Sequence, residues 1–285
     1  PDVSLIHYPD FSGPLLSAKR MVITLHDLSF FRYPHVFPPS LRVWKRIMAR
    51  FSVWKAQLVI CVSRFTANEA AAILKTRQEK LRVIPLGVKE LNRPFLRKVA
   101  EGEKPDTPYL LYVGTLEPRK NLIRLVKATA LLWEQGLKYP LIMAGRKGWL
   151  YQGLFDLIDS LGLGDHVRFL GHVSQDGLSS LYRNAEVFVY PSVYEGFGLP
   201  PLEAMSCGTP VVVSNRSSLP EVCGDAACYV DPFDEGDMAR GILSVLQDDN
   251  LRRILVEKGF ERVKLFSWEN AARETIRVYE EVAGT

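Results

Sequence analysis

The sequence predicts an α/β protein made of two doubly wound parallel sheets, and three observations carry that prediction. Short apolar runs of strand length alternate with segments of helical period. The alternation stops once, over residues 88–107, in a polar stretch with two prolines, and then restarts. The 285 residues are enough for two domains of ordinary size.

The first run begins with MVITL (21–25), a buried strand followed by the loop HDLSF. Residues 38–56 open on prolines and then repeat Leu41, Trp44, Ile47, Met48 and Phe51 at helical spacing. QLVICVS (57–63) is a strand, Ser63 can cap a helix over RFTANEAAAILK, and LRVIPLG (81–87) is a further strand. Past the interruption the strands are PYLLYVG (108–114), YPLIMAG (139–145), HVRFLG (166–171), EVFVYPS (186–192), TPVVVSN (209–215) and CYVDP (228–232). Helical segments separate them at 120–136, 148–164, 174–185 and 200–208, and helix runs from about 234 to the end with a break at FSWEN (266–270). Parallel sheets bind ligands at the carboxyl ends of their strands, and two such domains facing each other would form a binding cleft.

Composition narrows the class. With 47% hydrophobic and 24% charged residues and a mean hydropathy near zero, the chain is neither disordered nor fibrous. No apolar run approaches the roughly 18 residues of a membrane span, and no signal-peptide pattern opens the chain. Cysteines 61, 207, 223 and 228 form no C-x-x-C pair or metal ladder, which suits reduced structural thiols and a cytoplasmic protein. Charge is uneven: residues 1–98 carry +11 and residues 99–285 carry −7. The basic part suits a phosphate, an anionic lipid or an acidic substrate.

The most informative segment is EGFGLPPLEAMSCGTPVVVS (195–214). Pro200 fits the first turn of a helix. The amides of Phe197, Gly198 and Leu199 would then point out of a helix N-terminus, an anion site suited to a diphosphate. Glu195 and Glu203 bracket it. Two carboxylates would repel a bare phosphate, but they can accept hydrogen bonds from hydroxyls, as in a diphosphate that carries sugars at both ends. Glu203 would hold a ribose and Glu195 the transferred sugar. The plainer reading is a loop with a helix-capping glutamate.

A second element is GTLEPRKNL (114–122), where a strand ends at Gly114 and Arg119 and Lys120 sit side by side near a helix start. Cations are ill placed against a helix dipole there unless an anion joins them. A third is His26–Asp27 after MVITL. From the residues alone, His26 is either a site residue or a histidine satisfied by a backbone carbonyl or by Asp27. Arg64, next to Ser63, could reach a phosphate on the acceptor side, and Ser63 could be a helix cap alone. No functional role is read for His7, His35 or His166.

These motifs, with LIMAG (141–145), FLGHVS (169–174) and SSLPEVCGDAA (217–227) in order, resemble the retaining glycosyltransferases of family 4 over essentially all 285 residues. The resemblance implies the GT-B fold, with an N-terminal acceptor-side domain over 1–98, a linker at 99–107, a donor domain over 108–266 and a helix over 267–285 that crosses back to the first domain. It implies a hexosyl transfer, with a lean to mannosyl, from a GDP- or UDP-sugar to a hydroxyl of a glycan or lipid-linked acceptor. The implied site is His26, Glu195, Arg119 and Lys120 as catalytic residues, with Gly114, Val173, Phe197, Gly198, Leu199 and Glu203 also touching the donor, the backbone at His172–Val173 bordering the base. No D-x-D motif is present, so Arg119 and Lys120 would replace a metal ion, and no cofactor is expected. The N-terminal glycine-rich loop of such domains is not in these residues and the chain starts at Pro1, so an incomplete first domain is expected. That keeps a non-catalytic nucleotide-sugar-binding fragment or subunit as the alternative. A nicotinamide dehydrogenase is disfavoured because no G-x-G-x-x-G follows a strand, and no nucleic-acid module is present. The basic helix 38–56 either packs its apolar stripe on a sheet with cations in solvent, or lies on anionic membrane, peripheral on the inner face.

Overall fold

The computed structural model describes residues 4–13, 19–89 and 107–284. The chain divides into two compact units. One is Pro1–Val88 with Glu195–Phe197 and Phe266–Thr285, and the other is Lys89–Tyr194 with Gly198–Leu265. Apart from Thr107, the linker expected at 99–107 lies outside the described residues.

The first unit holds β1 (Leu5–Tyr8), β2 (Arg20–Leu25), α1 (Ser29–Arg32), α2 (Pro39–Lys55), β3 (Leu58–Cys61), α3 (Arg64–Leu74) and β4 (Leu81–Val83). Its strands pair in the order β1-β2-β3-β4, all parallel. Parallel neighbours need a crossover, which α1 and α2 supply between β2 and β3 and α3 supplies between β3 and β4. Ser63 caps α3 by accepting from the Thr66 amide, at 3.0 Å. The sheet packs on a helix from the far end of the chain. Val278 and Val282 join Val22, Leu58, Ile60 and Ile84 in one apolar cluster. Around it, Tyr279 Oη lies 2.5 Å from His7 Nδ1, and Arg20 donates to the Val282 carbonyl.

α2 differs from the packed-stripe expectation. Its inward positions are taken by the small residues Ala49, Ser52 and Val53. Val43, Trp44, Ile47 and Trp54 are exposed instead. The cations fold back: Arg46 donates to the Phe30 and Phe31 carbonyls, and Lys45 sits over the Phe11, Phe30 and Phe37 rings. Leu41, Met48 and Phe51 are half-buried, and the Ser52 hydroxyl accepts from the Gly13 amide at 2.9 Å.

The second unit runs β5 (Leu110–Val113), α4 (Leu122–Glu134), β6 (Leu141–Ala144), α5 (Gln152–Ser160), β7 (Val167–Gly171), α6 (Gln175–Asn184), β8 (Val187–Tyr190), α7 (Leu199–Ser206), β9 (Val211–Ser214), α8 (Leu219–Cys223), β10 (Cys228–Val230), α9 (Glu235–Gln247) and α10 (Asp249–Val263). α11 (Trp268–Ala283) follows and belongs to the first unit. The six strands are parallel in the order β10-β9-β8-β5-β6-β7. β6, β8 and β9 are buried at every residue, as strands covered by helices on both faces must be. The chain starts at central β5, builds outward to β7, then returns to lay β8 against the other side of β5. β5 and β8 therefore flank the switch point, where loops diverge and a ligand can enter.

Strand ends approach closely here. Gly145 has φ +147°, and a Cβ on it would lie 2.0 Å from the Gly114 carbonyl oxygen. Gly145→Ala is expected to lower stability by about 3 kcal/mol or more through strain and backbone displacement. Urea melts check this, and an unchanged midpoint would mean that the two loops can part freely.

Candidate functional site

In the second unit, the loops after β5 and β8 are tied together by polar side chains. Asn121, which precedes α4, is left-handed (φ 62°) and buried. Its Nδ2 donates to the Pro191 carbonyl (3.2 Å) and the Pro232 carbonyl (2.6 Å). Asparagine tolerates this backbone region better than most residues. One amide thus joins the loops following β5, β8 and β10.

Arg119 and Lys120 lie in one tight helical turn just before it. Arg119 is engaged within the loops: Nε and Nη2 donate to Glu117 Oε1 (3.0 and 2.7 Å), and Nη1 donates to the Tyr194 carbonyl (2.8 Å). Its own carbonyl accepts from the Val193 amide at 3.0 Å. The guanidinium therefore fastens residues 193–194 to the 117–120 turn, and its side chain is only 12% exposed. Lys120, 7% exposed, donates from Nζ to Tyr190 Oη at 2.8 Å. Neither cation stands solvated at the helix start. Gly114 closes β5, with Tyr112 packed beneath it.

The loop after β8 is buried from Pro191 to Gly198. Gly198 is the residue before α7 (φ 136°), and no side chain caps that helix. A Cβ on Gly198 would meet Leu219 Cδ2 at 2.9 Å, so the glycine suits both the backbone angle and the space. Pro200 occupies the first turn, as the sequence pattern predicts. Helix starts leave amides without intrahelical partners, and the dipole makes this end positive. Glu203, one turn in, is half-buried and accepts from Tyr182 Oη at 2.9 Å. Burial lifts the Glu203 carboxyl above its usual range, and the Tyr182 bond pulls it partly back. Tyr182 itself is fully buried, its ionisation pushed far up by burial and by the Glu203 charge. Val173 is half-buried in the loop after β7, and His172 is exposed.

In the first unit, the structure brings Glu195–Phe197 beside His26 and Ser63. A Cβ on Gly196 would lie 1.7 Å from the His26 carbonyl oxygen, so the two backbones touch. The Gly196 carbonyl accepts from Ser63 Oγ (2.6 Å) and Thr66 Oγ1 (3.0 Å). Glu195 is buried. His26 is exposed with Nε2 3.0 Å from the Pro9 carbonyl, while Asp27 accepts from the Ser29 amide and hydroxyl. Of the sequence alternatives for His26, the contact with a backbone carbonyl is present, on an exposed ring, and pairing with Asp27 is not found. Arg64 is exposed at the start of α3.

The glycosyl transferases group 1 family matches residues 95–262, and glycosyltransferase family 4 matches residues 1–90. The chain belongs to the group 1 glycosyltransferases. This transferase is 38% identical to O-antigen chain mannosyltransferase B of Escherichia coli over 97% of this chain and 74% of that protein. It is 34% identical to O-antigen chain mannosyltransferase RfbU of Salmonella typhimurium over 82% of this chain, and that alignment spans only 62% of the relative. Among solved structures, a sucrose-phosphate synthase from Thermosynechococcus elongatus superposes with a TM-score of 0.83 at 28% identity, over 98% of this chain and 73% of that one. Anabaena HepE, solved with UDP and glucose, superposes at 0.77 and 21% identity over 92% and 72%. The fold of this glycosyltransferase is GT-B.

Sequence reasoning missed Asn121, Glu117, Tyr182 and Thr66. The first was legible in part, because an asparagine directly before an apolar helical run signals a left-handed or capping position. The Tyr182–Glu203 bond carried no local signal. Asn121→Gly is expected to cost about 2–3 kcal/mol by stripping two buried carbonyls of their donor, and Asn121→Ala about 1 kcal/mol more from the left-handed backbone. Equal losses in paired urea melts would remove the backbone part of this account.

Proposed function

We propose that this glycosyltransferase moves a hexose, with mannose the leading candidate, from a nucleoside-diphosphate sugar to a hydroxyl of a glycan or lipid-linked acceptor, with retention and without a metal ion. One observation carries the reading: an α7 N-terminus opened by Gly198 and left without a side-chain cap, beside the sheet's switch point. Such an end favours a diphosphate. The mannosyltransferase relatives support the sugar, and HepE was solved in complex with UDP and glucose.

In this reading the amides of Phe197, Gly198 and Leu199 and the Lys120 ammonium hold the diphosphate. Gly114 lets it approach the β5 end, and Val173 borders the base. Glu203 accepts from the ribose hydroxyls, with Tyr182 fixing its other oxygen. Glu195 and His26 act on the transferred sugar, and Arg64 on the acceptor side. Arg119, assigned to the diphosphate by sequence, contributes by holding the turn that carries Lys120. The acceptor hydroxyl bonds to the anomeric carbon on the face from which the diphosphate leaves. As the carbon–phosphate-oxygen bond breaks, a departing phosphate oxygen takes the hydroxyl proton. Catalysis then rests on orientation and on stabilising charge as it grows on the leaving group.

A donor screen tests this. GDP, UDP and their mannose and glucose conjugates are compared by thermal shift, followed by product analysis of the anomeric configuration. A GDP or UDP shift with a retained product is expected, unchanged by EDTA. Lys120→Met and Glu203→Ala should each lower kcat/KM by about 10- to 100-fold. Loss in EDTA restored by a divalent ion would overturn metal independence. No shift with any nucleotide would sink the donor site, and binding without product would favour the non-catalytic alternative.

A second reading concerns α2. From Leu28 to Asn68 there are seven Lys/Arg and no Asp/Glu. The outward face of α2 exposes Val43, Trp44, Ile47 and Trp54, the last at 74%. Among the described residues no helix is long and apolar enough to cross a membrane. Indole rings flanked by cations suit an anionic membrane surface. Flotation with phosphatidylglycerol-containing vesicles should exceed that with phosphatidylcholine alone and fall in high salt. It should also fall in a Trp44→Ser/Trp54→Ser double variant. Equal flotation with both vesicle types would refute the contact.

A further inference from the structure

The hydroxyls of Ser63 and Thr66 converge on one acceptor, and that acceptor is a backbone atom of the residue after Glu195. Ser63 Oγ accepts from the Thr66 amide at 3.0 Å as the cap of α3, and the same hydroxyl donates to the Gly196 carbonyl at 2.6 Å. Thr66 Oγ1 reaches the same carbonyl at 3.0 Å. A carbonyl oxygen has two lone pairs, so it can accept both donors, and each hydroxyl has one proton to give. Both residues are fully buried, so water does not compete for these protons. On the other side Gly196 is pressed against the His26 carbonyl, where even a methyl group has no room.

We infer that Ser63 and Thr66 are positioning residues for Glu195: they fix the 195–196 peptide against the His26 backbone and so set where the Glu195 carboxylate sits. This rests on the proposed role of Glu195 and His26 toward the transferred sugar. Capping alone needs only an acceptor at position 63, and aspartate or asparagine would serve. It does not require a hydroxyl at position 66, although Thr66 Oγ1 lies 3.0 Å from the capping Ser63 Oγ and 3.4 Å from the His26 carbonyl. The second donor on Gly196 is therefore the observation that helix stability does not explain. Two hydrogen bonds to one carbonyl restrain its direction more than one does, and sub-ångström placement of a group acting on the sugar affects turnover strongly.

Thr66→Val separates the two roles, because it removes a donor, keeps the shape and leaves the cap bond from its own amide to Ser63 Oγ in place. It is expected to lower kcat about fivefold to tenfold. The extra affinity of GDP-mannose over GDP, or of UDP-glucose over UDP, should be lost with it. Affinity for GDP or UDP alone should stay within about twofold, because the diphosphate is assigned to Lys120 and the start of α7. Thr66→Ser, which keeps the hydroxyl, should retain both readouts. Should Thr66→Val lower Tm but leave kcat and the sugar increment intact, the residue is structural and the inference falls. It also falls if neither kcat nor Tm moves. If the unaltered protein binds no nucleotide or nucleotide sugar, the functional reading itself has failed, a result distinct from either.

Discussion

The polar tie at Asn121 is the constraint on which the loops at the carboxyl end of the second unit's sheet depend. A parallel sheet delivers its strands to one edge, but it does not say how the loops beyond that edge hold together. They are mostly backbone, and buried backbone needs partners. Asn121 answers this for three loops with one side chain, donating to the carbonyls of Pro191 and Pro232 while its own backbone turns the chain into α4. Arg119 adds the next fastening through Glu117 and the Tyr194 carbonyl. The loop leaving β8 can then stay buried from Pro191 onward without losing its shape. Lys120 sits between these two fastenings, so its ammonium is carried on a turn that cannot swing.

The first unit solves a similar problem with sterics and hydroxyls. There the fixed element is the Gly196 peptide. Contact with the His26 carbonyl limits its approach from one side, and Ser63 and Thr66 hold its oxygen from the other. A glycine at 196 therefore has a cause independent of its φ angle: any Cβ would overlap a backbone atom. The sheet below is completed by α11, whose Val278 and Val282 supply apolar surface that four short strands lack on that face. A small sheet buries too little by itself, so a helix distant in sequence is recruited.

Much of the fold was legible because the governing signals are local. Strands such as LIMA and VVVS are continuous β-rich runs, and buried parallel strands need no alternation to be read. Ser63, Ser174, Asp234, Asp248 and Ser267 all cap helices by the side-chain bond their residue type predicts. The Gly198–Pro200 pattern likewise marked the start of α7. What was not legible depends on distance. Periodicity marks α2 as a helix but not which of its positions turn inward, and those are Ala49, Ser52 and Val53. The excursion of Glu195–Phe197 to the first unit has no compositional mark. Arg119 is read from sequence as half of a phosphate-binding pair, and nothing nearby in sequence tells that the Tyr194 carbonyl accepts one of its N–H groups.

The electrostatics of the second unit follow from which charges are already matched. Beyond residue 98 the chain is net acidic, so an anion arriving there meets an unfavourable background field. Glu117 is neutralised by Arg119 within the loop and adds little to that field. Glu203 is half-buried, with its carboxyl raised by burial, so holding it ionised already opposes its surroundings. A second negative group close to it would push it further toward the neutral acid unless positive charge lay closer still. The α7 dipole end and the Lys120 ammonium are positive elements of this unit. A ligand whose hydroxyls donate to Glu203 would itself favour the charged carboxylate. On the proposed reading, a nucleoside diphosphate brings both parts in one molecule, its ribose hydroxyls stabilising the carboxylate that its phosphates would otherwise disfavour. A bare diphosphate lacks the first part, and a nucleoside lacks the second.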